Sequence, residues 1–274
     1  MNYDLFTERK YKFFSFGSGS SGNCYYLGTN EYGILIDAGI GIRTVQKSLR
    51  EYGVSFDKIA GVIITHDHAD HIKTVGCFGN KYNLPIYATQ TVHDSIRHNK
   101  FLNIDLLASR KVIDKEAPFA IRDFTITAFE VPHDSIENVG YRIQFDNQVF
   151  VLLTDVGRIT DTIRKYALQA NHLVMEANYD EVMLQNGRYP YYLKERITSG
   201  MGHISNRLSS EFIASIYNEH MQNIWLCHLS QDNNHPELAF KSVEQALYYN
   251  GVIVGKDVKL EALSRHKVSG LREF

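Results

Sequence analysis

Ile59-Ala-Gly-Val-Ile-Ile-Thr-His-Asp-His-Ala-Asp-His71 is the stretch whose reading decides the fold. Through Thr65 it is apolar and rich in β-branched residues, the pattern of a buried strand. It then places His66, His68, Asp70 and His71 within six positions, with Asp67 among them. That density of metal-ligating groups exceeds what a structural loop requires. The place where a strand gives way to a loop is also where folds present reactive groups. His66 and His68 are two apart, so on extended backbone they point to one side and can share an ion. Asp70 and His71 follow after the chain has turned and can serve a second ion. Neutral imidazoles with carboxylates suit zinc, manganese or iron.

Working outward, strand-like runs cover 11–16, 24–27 and 33–36, and residues 42–52 have helical spacing. After the metal stretch a helix is expected from about Asp70 to Asn83, and another over 91–98. Strands are read over 124–131, 139–145 and 148–153, the last two joined by a tight Asp146-Asn147 turn. A helix over 159–169, a strand over 172–176, and a helix over 205–219 capped by Ser205 or Asn206 follow. The chain closes with a strand over 224–227 and a helix over 236–249. Two strand-rich stretches, each followed by helices, fit a pair of packed sheets with helices outside, an α/β (α+β) class.

Five prolines and no Gly/Ser-rich linker give no cut point in the 274 residues, so one domain over 1–274 is expected. The net charge of −2 means that any nucleic-acid contact has to be local. Cys24, Cys77 and Cys227 lack metal-site spacing and read as reduced thiols. The N-terminal stretch has no apolar leader and no segment approaches a membrane span, so a cytoplasmic protein without membrane contact is expected.

The pattern His66-Asp-His68-Ala-Asp70-His71 resembles the His-x-His-x-Asp-His signature of the metallo-β-lactamase superfamily. Phe16-Gly-Ser-Gly-Ser-Ser-Gly-Asn23, Gly202-His-Ile-Ser-Asn206 and His228-Leu-Ser-Gln-Asp-Asn-Asn234 are similar to its YycJ/WalJ-type bacterial metallohydrolases. The resemblance implies a four-layer αββα sandwich with two divalent metal ions at one edge. It matches His133, Asp155 and His228, each at a strand end, to the remaining ligands. His66, His68 and His133 would hold one ion and Asp70, His71 and His228 the other, with Asp155 bridging. Such a pair lowers the pKa of a bridging water, so that hydroxide is the nucleophile.

His203, directly before a helix start, matches the histidine that contacts phosphate or assists the leaving group in phosphodiesterase branches. A helix N-terminus favours an anion there. The competing assignment makes His203 the ligand and His228 the phosphate contact. Ser18, Ser20, Ser21 and Asn23 are candidates for cradling a phosphate. Asp67 is a candidate proton acceptor or ligand orienter, and Asp37 resembles a carboxylate that orients a ligand histidine. Asn233 and Asn234 are expected to fix the loop after His228. Glu176 reads equally as a loop anchor. His93, His98, His172, His220, His235 and His266 fit no metal spacing.

The separation of Asp155 from His203 is too short for the cap domain of β-CASP nucleases. That of His133 from Asp155 leaves no room for the tRNA-gripping arm of ribonuclease Z. The resemblance therefore implies a dinuclear phosphodiesterase, with DNA favoured and 5′-to-3′ exonuclease activity associated with the subgroup. Lys81-Tyr82 and Arg188-Tyr-Pro-Tyr-Tyr-Leu-Lys194 are candidate grips for nucleic acid. A glyoxalase II-like thioesterase and a non-catalytic metal-binding regulatory protein are the alternatives.

Overall fold

The computed structural model describes residues 10–99, 102 and 104–274. The N-terminal stretch read as free of a leader lies, through residue 9, outside the described residues. The elements in chain order are β1 (Lys12–Gly17), β2 (Cys24–Gly28), β3 (Gly33–Ile36), α1 (Ile42–Glu51), β4 (Ile59–Ile63) and α2 (Ala69–Ile72). Next come β5 (Ile86–Ala88), α3 (Gln90–His98), β6 (Arg110–Val112), β7 (Phe119–Ile121), β8 (Phe124–Glu130), β9 (Val139–Phe145) and β10 (Gln148–Leu153). The second half continues with α4 (Asp161–Ala167), β11 (His172–Glu176), α5 (Glu181–Asn186), α6 (Tyr191–Thr198) and α7 (Asn206–Ile216). It ends with β12 (Asn223–Cys227), α8 (Pro236–Tyr249), β13 (Lys259–Ala262) and β14 (Arg272–Glu273).

Two seven-stranded sheets form, ordered β14-β1-β2-β3-β4-β5-β6 and β13-β12-β11-β10-β9-β8-β7. Side-chain alternation makes them a sandwich. Phe13, Ile34 and Ile63 of the first sheet meet Tyr141, Phe150, Leu152 and Trp225 of the second in one buried layer. The opposite residues of the same strands also find cover. Phe14, Leu35 and Val62 pack under Val45, Leu49 and Val92 of α1 and α3. Val151, Leu153 and Leu226 pack under Ile163, Phe212 and Val243 of α4, α7 and α8. Burial on both faces is why these strands read as continuous apolar runs. The result is the αββα sandwich.

β3, β4, β10, β11 and β12 pair in parallel with at least one neighbour, and their carboxyl ends come together on one rim. Crevices beyond the carboxyl ends of strands are where α/β sheets bind ligands. The two sheets are tied there by a hydrogen bond from the Val139 amide to the Thr65 carbonyl at 3.1 Å, and by Tyr141 Oη donating to Ile64 O at 2.6 Å.

One sequence expectation changes. The helix expected from Asp70 to Asn83 stops at Ile72 and resumes as a separate turn over Cys77–Lys81. Thr74 explains the break: its amide and hydroxyl both bond Ala38 O at 2.8 Å, pulling the chain off its axis. In the candidate nucleic-acid grip 188–194, Pro190 leads into α6, an element the sequence reading did not place. Ser205 is the cap of α7, accepting from the Leu208 amide at 3.2 Å. No helix among the described residues is long and apolar enough to cross a membrane.

Candidate metal centre

The ligand stretch is held by its backbone before any side chain is considered. Asn23 N donates to Asp70 O at 2.8 Å and Ala38 N to His71 O at 2.7 Å. The loop at Gly39 packs so closely that a Cβ there would lie 1.6 Å from Asp70 O, so only glycine fits. α2 begins directly after His68, which puts Asp70 and His71 on its first turn.

Side chains at the rim then converge. His66, His68 and His133 form one group and Asp70, His71 and His228 another; within each group the ligand atoms lie within 4.8 Å of one another. Asp155 sits between the groups, with Oδ2 3.2 Å from His71 Nε2 and Oδ1 3.0 Å from His228 Nδ1 and 3.6 Å from His133 Nε2. One oxygen thus faces His71, and the other faces His228 of the same group and His133 of the opposite one.

Each buried histidine has a partner on its outer nitrogen. His66 Nδ1 bonds Thr65 Oγ1 at 3.0 Å, His133 Nδ1 donates to Gly202 O at 2.8 Å, and His71 Nδ1 donates to Asp37 Oδ2 at 2.7 Å. His228 Nδ1 donates to Glu176 Oε1 at 3.0 Å. Such partners fix ring orientation and raise ligand basicity. Of the inner nitrogens, His71 Nε2 accepts from the Asn23 side-chain amide at 2.9 Å, and the others are less well provided. His66 Nε2 and His228 Nε2 are buried with no hydrogen-bond partner, and His133 Nε2 faces His68 Nδ1 at 3.3 Å. Buried polar nitrogens are rarely left this way. A cation among them satisfies all four, so these donors fit a divalent metal.

Electrostatics say the same. Burial alone would strip the proton from His71, but Asp37, Asp155 and Asp70 hold its pKa well above the usual range. Burial likewise opposes the charged form of His228, yet Asp155 and Glu176 push it up to about 10. Burial would raise Asp155, and His228 and His71 overcome it, holding the carboxyl well below the usual carboxylate range. The carboxylates therefore attract positive charge, which in the metal-free protein is protons.

Asp37, Asp155 and His228 have φ of 62°, 56° and 53°. Each lies just past the end of a strand, and left-handed backbone, though aspartate and histidine enter it more readily than most, still costs a residue that carries a Cβ. Strain of this sort persists where surrounding contacts over-determine it.

The site opens into a cavity of about 350 Å³. His203 lines it, 20% exposed, with Nδ1 on Glu176 Oε1 at 2.8 Å and its ring centroid 5.2 Å from both His133 and His228. Of the four residues expected to cradle a phosphate, one reaches the cavity. Ser20 lines the cavity, but Ser18 is buried, with its hydroxyl 2.8 Å from Tyr25 Oη and accepting from the His228 amide at 2.8 Å. Asn23 is buried too, bonded to Gly19 and donating to Asp70 Oδ2 at 3.0 Å, and Ser21 lies 3.2 Å from His266 Nδ1. Ser18 and Asn23 therefore brace His228 and Asp70. Asp67 accepts a hydrogen bond from Ser95 on α3 through Oδ2, its Oδ1 is buried without a partner, and it does not line the cavity. Asn234 clamps its loop by donating to Ala177 O and Asn178 O at 2.8 and 2.9 Å, whereas Asn233 does so through its backbone. Lys81-Tyr82 is remote from the cavity, with Tyr82 packed edge-on against Phe56.

Glu176, which the sequence leaves between ligand orientation and loop anchoring, takes a wider part than either, and Arg196 and Asp134 escaped the sequence reading altogether. Glu176, fully buried, accepts from His203, from His228 and from the Val156 amide at 2.6 Å, so one carboxylate steadies three parts of the rim. Its signal was present: a carboxylate ending a strand parallel to those ending at Asp155 and His228. Arg196 of α6, the only lysine or arginine lining the cavity among the described residues, pairs with Asp134. No motif marks either of these two.

A model of the beta-lactamase superfamily domain matches residues 32–224. The chain is 34% identical over 245 residues to exodeoxyribonuclease YycJ of Bacillus anthracis, covering 87% of this chain and 90% of that protein. It is 32% identical over 268 residues to exodeoxyribonuclease WalJ of Streptococcus pneumoniae, covering 98% and 100%. The metallo-beta-lactamase fold protein YhfI from Bacillus subtilis superposes with a TM-score of 0.70 at 18% identity, covering 97% of this chain and all of that one, a likeness of fold. With the matched model, the relatives and the ligand cluster in agreement, the chain belongs to the metallo-β-lactamase superfamily and is YycJ/WalJ-like.

Proposed function

We propose that this chain is a dinuclear metal-dependent nuclease, an exodeoxyribonuclease that works 5′ to 3′. The observation that carries this reading is His203, which faces the cavity beside the ligand cluster with its Nδ1 held by Glu176. Names of relatives that span nearly the whole chain support the DNA substrate.

His66, His68 and His133 would hold one ion, Asp70, His71 and His228 the other, and Asp155 would contact both. Two divalent ions held there supply Lewis acidity at the phosphate and a nucleophile from water. The protein's own residues do the rest. Glu176 fixes His203 through Nδ1 and leaves its Nε2 toward the cavity, where it can give a proton to the leaving oxygen. The same carboxylate orients His228, so ligand and proton donor are positioned by one group. Burial separates the two histidines' roles: His228 is 3% exposed with an orphaned Nε2, the setting of a ligand, whereas His203 opens to the cavity. Arg196 and Ser20, which both line the cavity, would meet the substrate's phosphates.

The test is hydrolysis of bis(p-nitrophenyl) phosphate and of end-labelled duplex DNA by protein loaded separately with zinc and manganese, with S-lactoylglutathione in parallel. Metal-dependent cleavage of the phosphodiester and stepwise shortening of DNA from 5′ ends are the expected results. Cleavage of the thioester alone would overturn the reading.

A further inference from the structure

A second cavity, of about 470 Å³, lies on the other side of His203, which lines both. Its wall includes Arg158 after β10, Arg164 on α4, and Phe212 and Ser215 on α7. Resting on the phosphodiesterase reading above, we propose that this cavity is a second subsite, gripping the backbone phosphate next to the one cleaved in a nucleic-acid strand.

Charge is the first argument. Both arginines are exposed, and neither forms an ion pair among the described residues. Glu211, the one carboxylate in the lining, is bonded to Arg207 at 3.0 Å. The cavity therefore carries uncompensated positive charge in a chain whose net charge is −2. The metal cavity differs, since Arg196, the only lysine or arginine lining it among the described residues, is already paired with Asp134. Local positive charge without a partner is the footprint of phosphate contact.

Position is the second argument. Arg158 Nη1 donates to Gly200 O at 3.1 Å, and Arg164 Nη1 donates to Ser215 Oγ at 3.0 Å with its guanidinium 5.4 Å above the Phe212 ring. These contacts aim the guanidiniums while leaving donors free, and a fixed planar fork suits phosphate oxygens. A Cβ on Gly157 would lie 2.6 Å from Gly200 O, so the loop bearing Arg158 is packed directly on the turn that leads to His203. The arginine and the histidine are thereby held at a set distance. A ligand spanning both cavities needs anionic groups repeated along its length, which a phosphodiester strand has and a single phosphate lacks.

The experiment measures binding of a fluorescent duplex, its terminal linkages phosphorothioate to slow cleavage, to the metal-loaded protein across a salt series. A matching set of duplexes replaces one phosphate at a time by an uncharged methylphosphonate. Parent protein is expected to lose affinity at one or two linkages beside the terminal one. The double variant Arg158→Ala/Arg164→Ala should bind on the order of 10-fold more weakly per arginine. Its slope of log affinity against log salt should be shallower by roughly 1 per arginine. It should also become insensitive to methylphosphonate at those same linkages. Arg164→Gln, on an exposed face of α4, repeats the test if the double variant does not fold. Unchanged affinity and slope in variants that keep their metal, with DNA still bound by the parent, would overturn the subsite alone. A parent that neither binds DNA nor cleaves phosphodiesters would overturn the nuclease reading as well.

Discussion

His228 and His172 lie at opposite ends of neighbouring parallel strands, one just past the end of β12 and the other at the start of β11. They are buried alike, at 3% and 0% exposure. Burial pushes His172 down to about 3, and nothing answers it. Its ring stacks on Phe274 at 3.9 Å, and its Nδ1 accepts from Asn223 at 2.9 Å. His228 meets the same desolvation but also Asp155 and Glu176, and is pushed up to about 10. Depth is therefore not what separates a core histidine from a ligand. The carboxylates around it are, and they sit at one end of the sheet only.

Removing that counter-charge gives the largest expected effect. Asp155→Ala should lose at least one metal ion and nearly all hydrolysis, measured by elemental analysis and phosphodiester turnover. Normal metal content would show that Asp155 does not hold the two groups together. His203→Ala should keep its metal while turnover falls ~10²–10⁴-fold, the range for a lost general acid. Metal loss in that variant would exchange its role with that of His228. Glu176→Gln keeps the shape but removes the charge shared by both histidines, and metal affinity or turnover should fall ~10–100-fold. If only turnover fell, with metal affinity intact, Glu176 would act through His203 alone.

The smallest effect lies at the other end. His172 has a folded pKa below its unfolded value, so its contribution is complete above about pH 6.5 and is lost as pH falls toward 3. His228 in the metal-free protein is the reverse: its contribution is complete below about pH 6.5 and disappears as pH rises toward 10. Chelated protein should therefore be less stable on both sides of near-neutral pH. His172→Gln should flatten the acid side only, by about 2 kcal/mol between pH 6.5 and 5, in denaturant melts. A variant that kept the full acid slope would break the contrast between the two histidines.

What the sequence revealed follows the same division. The central strands were legible because both faces are buried, and the ligands because histidine and aspartate crowd at strand ends. α5 and α6 were missed because they are short and mostly exposed, with Tyr191 and Tyr192 turned to solvent, so no apolar period marks them. The break at Thr74 depends on a hydrogen bond to Ala38, 36 positions away, which no local pattern records. Glu176 looked like any residue anchoring a loop, since its role comes from β11 lying between β10 and β12. Ser18 and Asn23 were read as facing a ligand because Gly-Ser loops usually lie open, whereas this one is folded under His228 and Asp70.

The left-handed backbone at Asp37, Asp155 and His228 has a consequence for how this protein can change. Such a conformation costs a side-chain-bearing residue roughly 1–2 kcal/mol, and glycine far less. Glycine at 37 would shed that cost but leave the Thr65 amide, the Thr65 hydroxyl and His71 Nδ1 without the carboxylate that accepts from them, a larger loss at roughly 1–3 kcal/mol for each buried donor. The same holds at 155, where the carboxylate answers His71 and His228. Folding and chemistry thus defend the same two aspartates, and laboratory evolution for heat resistance does not run toward glycine there.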